Sequence, residues 1–179
     1  MPSFPELLET LTDGVIEVRL AKEWDIPDIL IAHQDDPGLY RRLGLDRPPS
    51  GAELGRRSEA EPAHRAAGTE ARLTILESGE ETCRGQIDVY RVDWDERLAE
   101  IGIWLASQVR GRGWAPRALR LTAEWLFGVC GLQRLTLLTE ADNEPMIRAA
   151  RSAGFTGPEP RSGRVSLTLV RPLPAPPTA

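Results

Sequence analysis

Residues 108–115 read Gln-Val-Arg-Gly-Arg-Gly-Trp-Ala, and a helix-patterned run follows at once. The first amides of a helix have no partner within it and sit at the positive end of its dipole. Glycines let a phosphate come close to such a backbone, and arginines suit its oxygens. The stretch therefore predicts an anion-binding turn, with Arg110 and Arg112 adding charge-assisted contacts. The same residues also satisfy a tight strand-to-helix turn whose arginines are merely hydrated. Two other phosphate loops do not fit. A Walker loop needs Gly-Lys-Ser/Thr, and Lys22 is the only lysine in the chain. A dinucleotide fingerprint needs a third glycine where Pro116 stands, and an early first strand.

The elements that would position this turn follow from hydrophobic spacing. Residues 15–20 alternate apolar and polar, which predicts a strand with one buried face. Residues 24–33 carry Trp24, Ile26, Ile29, Leu30 and Ile31 at near-helical spacing, with Asp25 as a cap and Pro27 in the first turn. From 35 to 69 apolar residues are sparse, and short helices with mobile loop are expected. Residues 71–77 and 83–92 form a hairpin across Ser78, Gly79, Glu80 and Glu81. A turn at Asp93 and Trp94 leads into residues 98–106, apolar on both faces as in a covered central strand. Residues 114–127 place Trp114, Ala118, Leu121 and Trp125 on one helical stripe, between Pro116 and Gly128. A strand over 133–140 then makes a right-handed parallel crossover. A helix over 144–153 stops at Gly154, Phe155 and residues 164–170 supply closing strands, and 172–179 is a proline-rich flexible tail. Residues 1–171 are expected to form a single domain.

This arrangement resembles the GNAT superfamily of acetyl-CoA-dependent N-acetyltransferases. Gln108, Gly111 and Gly113 match its Gln/Arg-x-x-Gly-x-Gly/Ala signature, Ala99 to Leu105 resembles the preceding family strand, and Asn143 to Phe155 resembles its Asn-helix-Gly-Phe element. Block spacing is similar to the RimJ/RimL-like branch, which acetylates ribosomal-protein N-termini, and the likeness covers most of residues 15–170. The resemblance implies an α/β (α+β) fold whose twisted, mostly antiparallel sheet splays at its central parallel strands and is flanked by helices. Acetyl-CoA would lie in that gap. Its pyrophosphate would meet the turn formed by Gln108, Val109, Arg110, Gly111, Arg112, Gly113, Trp114 and Ala115. Its pantetheine arm would pair with backbone of Ile103, Trp104 and Leu105, one amide of which is the candidate oxyanion donor. Asn143 and Met146 would touch it from the later helix, and Asn143 would also serve as an N-cap.

Glu100 is the candidate base, because a carboxylate on an apolar strand is costly unless used or paired. The alternative is a salt bridge to Arg97 or Arg91. Two departures from the family stand out: its tyrosine acid falls at Ala150, and the serine used in the RimL-like branch falls at Met146. A CoA thiolate leaves without help from a protein acid, since a thiol pKa near ~8.5 makes it a tolerable leaving group. Asp35, Asp36 and Tyr40 are candidates for selecting a cationic amine, or plain hydrated loop residues. His33 and His64 read as surface histidines, and Trp94 as the tryptophan left exposed in a turn.

Bulk properties narrow the classes further. With 22 Lys+Arg against 27 Asp+Glu the net charge is −5, which argues against nucleic acid held by general electrostatics. Cys83 and Cys130 form no metal-ligand or disulfide pattern, so free thiols in a reducing cytoplasm are expected, with no metal. No run of ~18 apolar residues and no export leader is seen, so no membrane partner is expected. The expectation is an N-acetyltransferase acting directly, in a ternary complex, on a protein N-terminus or small-molecule amine, as a monomer or homodimer. The alternatives are an enzyme modifying an antibiotic or metabolite, and a catalytically silent acyl-CoA-binding regulatory domain.

Overall fold

Alternation along the strands divides one sheet into an apolar and a polar face, and each face collects its own helices. The computed structural model describes residues 3–5 and 10–171. Its strands are β1 (Leu11–Thr12), β2 (Ile16–Leu20), β3 (Ala71–Glu77), β4 (Gly85–Asp93), β5 (Leu98–Leu105), β6 (Arg134–Thr139), β7 (Thr156–Arg161) and β8 (Arg164–Val170). Its helices are α1 (Ile26–Asp35), α2 (Leu39–Arg42), α3 (Gly51–Ala66), α4 (Trp114–Gly128) and α5 (Glu144–Ser152). The eight strands form one sheet in the order β1-β2-β3-β4-β5-β6-β8-β7. Every pairing is antiparallel except β5 with β6, the pair joined through α4.

Val18, Ile75, Ile87, Ile101, Leu135 and Leu167 are fully buried on the apolar face, against Leu119 and Leu126 of α4 and Ile147 of α5. The other face carries Arg19, Thr74, Gln86, Glu100 and Trp104, buried beneath the first half of the chain. β4 follows β5 from Leu98 to Leu105, whereas the parallel ladder with β6 ends at Ile101↔Leu137. Gly102 to Leu105 therefore lose their neighbour on the β6 side, and the sheet splays there. The approach of β4 to this segment is so close that a β-carbon on Gly85 would overlap the Trp104 carbonyl oxygen.

Four local readings are corrected. Asp25 is not a side-chain cap for α1: it is 1% exposed and holds Arg19, Thr74 Oγ1 and the Lys22 amide. The region read as short helices and loop contains the sixteen-residue α3, begun by a reciprocal capping box between Ser50 and Glu53. Only Leu54 and Glu61 of α3 are buried, so its apolar stripe is thin, and Pro62 inside it reads as a breaker. Phe155 is buried just ahead of β7, an edge strand with two prolines that alternation does not reveal. Trp94 is the packed tryptophan, donating to the Gly68 carbonyl at 2.8 Å and meeting Phe4 edge-on, while Trp24 is exposed. The tail at 172–179 lies outside the described residues.

Candidate functional site

The glycine turn sits where β5 ends. Gly111 and Gly113 have φ of +74° and +76°, conformations that favour glycine. Gly113 is the N-cap of α4 and offers no side chain to its first turn. The amides from Gly111 to Ala115 find no acceptor among the described residues, and a β-carbon at Gly111 or Gly113 would meet nothing within 4 Å. Unclaimed donors at a positive dipole end, under open space, fit a phosphate group.

The side chains of the turn divide their labour differently from the sequence reading. Arg110 does not reach outward: its Nε donates to the Leu105 carbonyl at 2.9 Å and its Nη2 pairs with Asp36 at 2.6 Å. Gln108 Nε2 donates to Asp35 at 2.6 Å. These two contacts tie the turn to the end of α1. Arg112 is exposed and makes no ion pair among the described residues, so it is the turn's free cation. Val109 and Trp114 have buried side chains, which leaves only their backbone at the surface of the turn. Asp36 is spent on Arg110 and Arg42, whereas the exposed Asp35 accepts only from the neutral Gln108 amide and keeps its charge. Burial alone would raise the Asp36 carboxyl, but the hydrogen bond and charge of Arg110, with Arg42, hold it below the ordinary range.

Asn143 begins α5 from the far wall of the gap. Its Oδ1 accepts from the Met146 amide at 3.3 Å and its Nδ2 donates to Thr139 Oγ1 at 2.9 Å. It is an N-cap, fastened to the end of β6. Met146 packs partly buried against the core, and Ala150 is fully buried. Ile103, Trp104 and Leu105 line the opposite wall on the free edge of β5.

Glu100 shares its sheet face with Gly102 and Trp104 and is 5% exposed. Arg91 Nη1 lies 3.0 Å from Oε2, and Arg161 Nη2 lies 2.8 Å from Oε1. The paired alternative thus holds for Arg91, not Arg97, with a second arginine from β7 that sequence order does not suggest. Tyr90, directly opposite in register, has its phenol raised by burial and by the Glu100 charge. Both thiols are pushed up to about 12 by burial, so neither is a nucleophile.

His33 is not a surface histidine. It is 6% exposed, its ring 6.4 Å from that of Trp104, with Nδ1 unpartnered among the described residues. Burial holds the imidazole below its ordinary value, and Asp36 opposes this in part. As pH falls the unfolded chain takes up the proton first, so folding stability should drop below about pH 6.5, the onset set by the unfolded imidazole. His33→Gln should flatten that segment of the curve, which urea unfolding across the acid range would measure.

Among the described residues no group of three or more His, Cys, Asp or Glu gathers to hold a metal, and no helix is long and apolar enough to cross a membrane. The family model for the acetyltransferase (GNAT) domain matches residues 16–156. Spermidine N(1)-acetyltransferase of Escherichia coli K12 is 30% identical over 88 residues, 49% of this chain and 46% of that protein. The chain thus spans about half the length of the curated relatives it matches. Mycobacterium smegmatis RimJ in complex with CoA-disulfide superposes with a TM-score of 0.78 at 21% identity, covering 93% of this chain and 90% of that one. Spermidine N-acetyltransferase from Vibrio cholerae, in complex with CoA and spermine, gives 0.73 at 17% identity, covering 88% and 96%.

Proposed function

The chain belongs to the acetyltransferase (GNAT) family, and on that footing we propose that it transfers an acetyl group from acetyl-CoA to the α-amino group of a protein N-terminus. The observation that carries the cofactor half of this reading is the run of unclaimed amides from Gly111 to Ala115, just beyond the released edge of β5. Those amides and Arg112 would take the pyrophosphate. Gln108 and Arg110 would act by anchoring the turn, and Val109, Trp114 and Ala115 through backbone. The edge formed by Ile103, Trp104 and Leu105 would pair with the pantetheine arm and donate one amide to the developing oxyanion. Asn143 and Met146 would close the other side. Acetyl-CoA supplies the activated acyl thioester.

Glu100 remains the proposed proton acceptor, acting through intervening water from three residues along β5. An α-amino group with a pKa of about 7.8 is roughly a tenth neutral at pH 7, whereas an amine near ~10.4 is neutral about once in two thousand. The less basic amine asks the least of Glu100, which is the ground for the N-terminal reading. Both cysteines are protonated and buried or half-buried, in keeping with direct transfer in a ternary complex without an acyl-enzyme. The reading takes residues 1–171 as one catalytic domain, cytoplasmic and monomeric or homodimeric.

A small-molecule amine is the second reading, favoured by the 30% identity to the spermidine enzyme. Binding without turnover is a third, motivated by Ala150 and Met146. Saturating acetyl-CoA is expected to raise Tm by mass action, and CoA release with an amine panel should show N-terminal peptides as acceptors. No Tm shift removes both binding and catalysis, and a shift without turnover leaves a binding domain. Glu100→Gln should lower kcat about 100-fold with acetyl-CoA affinity retained. Unchanged turnover, with an unchanged pH profile, removes Glu100 from proton transfer.

A further inference from the structure

The site holds an excess of positive charge that the cofactor half does not use. Arg91 and Arg161 share one carboxylate, that of Glu100, whose side chain is 6% exposed. One guanidinium suffices to neutralise it. The second leaves the triad at +1, with two cations drawn together and 68% and 45% of their side chains open to solvent. The backbone is shaped to make this happen. Arg91 has a φ of +49°, unusual outside glycine, at a bulge between Tyr90 and Asp93 that re-aims its side chain toward β5. Arg161 comes from the sheet's last strand, three places from β5 in the sheet order. It arrives because the β7–β8 hairpin, turning through Ser162 and Gly163 at positive φ, curls over the polar face. Of the other carboxylates on these strands, Glu140 pairs with Arg164 at 2.8 Å and Asp88 with Arg72, while the exposed Glu159, two residues before Arg161, lies beyond ion-pair distance of it.

We propose that Arg91 and Arg161 form a carboxylate-binding subsite, so that the acceptor is a peptide bearing an acidic side chain close behind its amino terminus. The proposal rests on the acetyltransferase reading above for the place of the amine. Ile103, where that reading puts the reacting carbonyl, lies three residues along β5 from Glu100, a rise of about 10 Å. A peptide extended along this distance advances roughly 3.5 Å per residue, so its second to fourth residues pass the two guanidiniums. The carboxylate of a free amino acid, attached to the amine-bearing carbon, falls short. A polyamine meets cations where it would need anions.

The test uses the full chain, saturating acetyl-CoA, and three tetrapeptide amides differing only at the second and third positions, aspartate, asparagine or lysine, with spermidine and free aspartate alongside. The aspartate peptide is expected to exceed the lysine peptide by about tenfold in kcat/KM, through KM and lost at high salt. Arg161→Gln and Arg91→Gln should each shrink that gap while Glu100 keeps its other partner. Equal use of the three peptides, preference for spermidine or free aspartate, or a variant that slows all peptides alike would overturn the subsite. Peptide binding to the CoA-loaded protein is read in parallel by tryptophan fluorescence. Aspartate-peptide binding that Arg161→Gln abolishes, with no turnover of any amine, removes the acetyltransferase reading and keeps the subsite. Turnover without charge preference does the reverse, and neither binding nor turnover removes both.

Discussion

Replacing Gly113 with asparagine is expected to weaken acetyl-CoA binding about 100-fold while leaving Tm unchanged. Asparagine tolerates the left-handed conformation that Gly113 adopts at φ +76°, and its side chain would enter space free of protein atoms. The fold has no reason to object. The carboxamide would stand over the first turn of α4, in front of the donors assigned to the pyrophosphate, and occupy the room a phosphate needs. Two or three charge-assisted hydrogen bonds lost amount to about 3 kcal/mol, a factor of about 100 in affinity. Calorimetric titration with acetyl-CoA, beside a thermal melt of the free protein, reads both numbers. Undiminished affinity would show that glycine serves the turn alone.

The second large effect is on stability. Asp25→Ala is expected to cost about 3–5 kcal/mol, a large part of the 5–15 kcal/mol that holds a typical domain folded. Asp25 and Arg19 are 1% and 7% exposed, joined by hydrogen bonds of 2.7 and 3.0 Å. The same carboxylate accepts from Thr74 Oγ1 at 2.7 Å and from the Lys22 amide at 2.9 Å, so it binds β2, β3 and the start of α1 together. Removing it strands a buried guanidinium whose Nε already lacks a partner among the described residues. Replacing both partners at once, with Arg19→Met and Asp25→Leu, should recover most of the loss, because no charge is then left unpaired. Urea unfolding at constant m-value checks both variants. A single-variant cost below about 1 kcal/mol would mean that water reaches the pair.

The features legible in the sequence were those that local chemistry decides. The turn from Gln108 to Ala115 announced itself because glycine, the helix pattern and Pro116 lie within a few residues, and the structure places Gly113 at the start of α4. The central position of β5 followed from its run of mostly apolar residues. Side-chain partners from distant segments were not legible. Arg161 stands 61 positions after Glu100 and reaches it only because a hairpin curls across the sheet. Asp25 looked like a cap because its helix is next door, while Thr74, 49 positions on, fixes its role. Arg110 has the type and place of a phosphate ligand, yet Asp36 at the end of α1 claims it. Helix α3 went unseen for another reason: spacing rules look for an apolar stripe, and α3 buries one leucine and one glutamate. Its capping box, Ser50 with Glu53, was the available signal.

The burial of the two thiols carries over to the bench. Groups held at about 12 are thiolate in only about one molecule in ten thousand or fewer near neutral pH. A chromogenic disulfide reagent added to the native protein should therefore stay colourless on the timescale of turnover. Any yellow that develops counts coenzyme A leaving the enzyme, with no cysteine-free background strain needed to subtract the polypeptide.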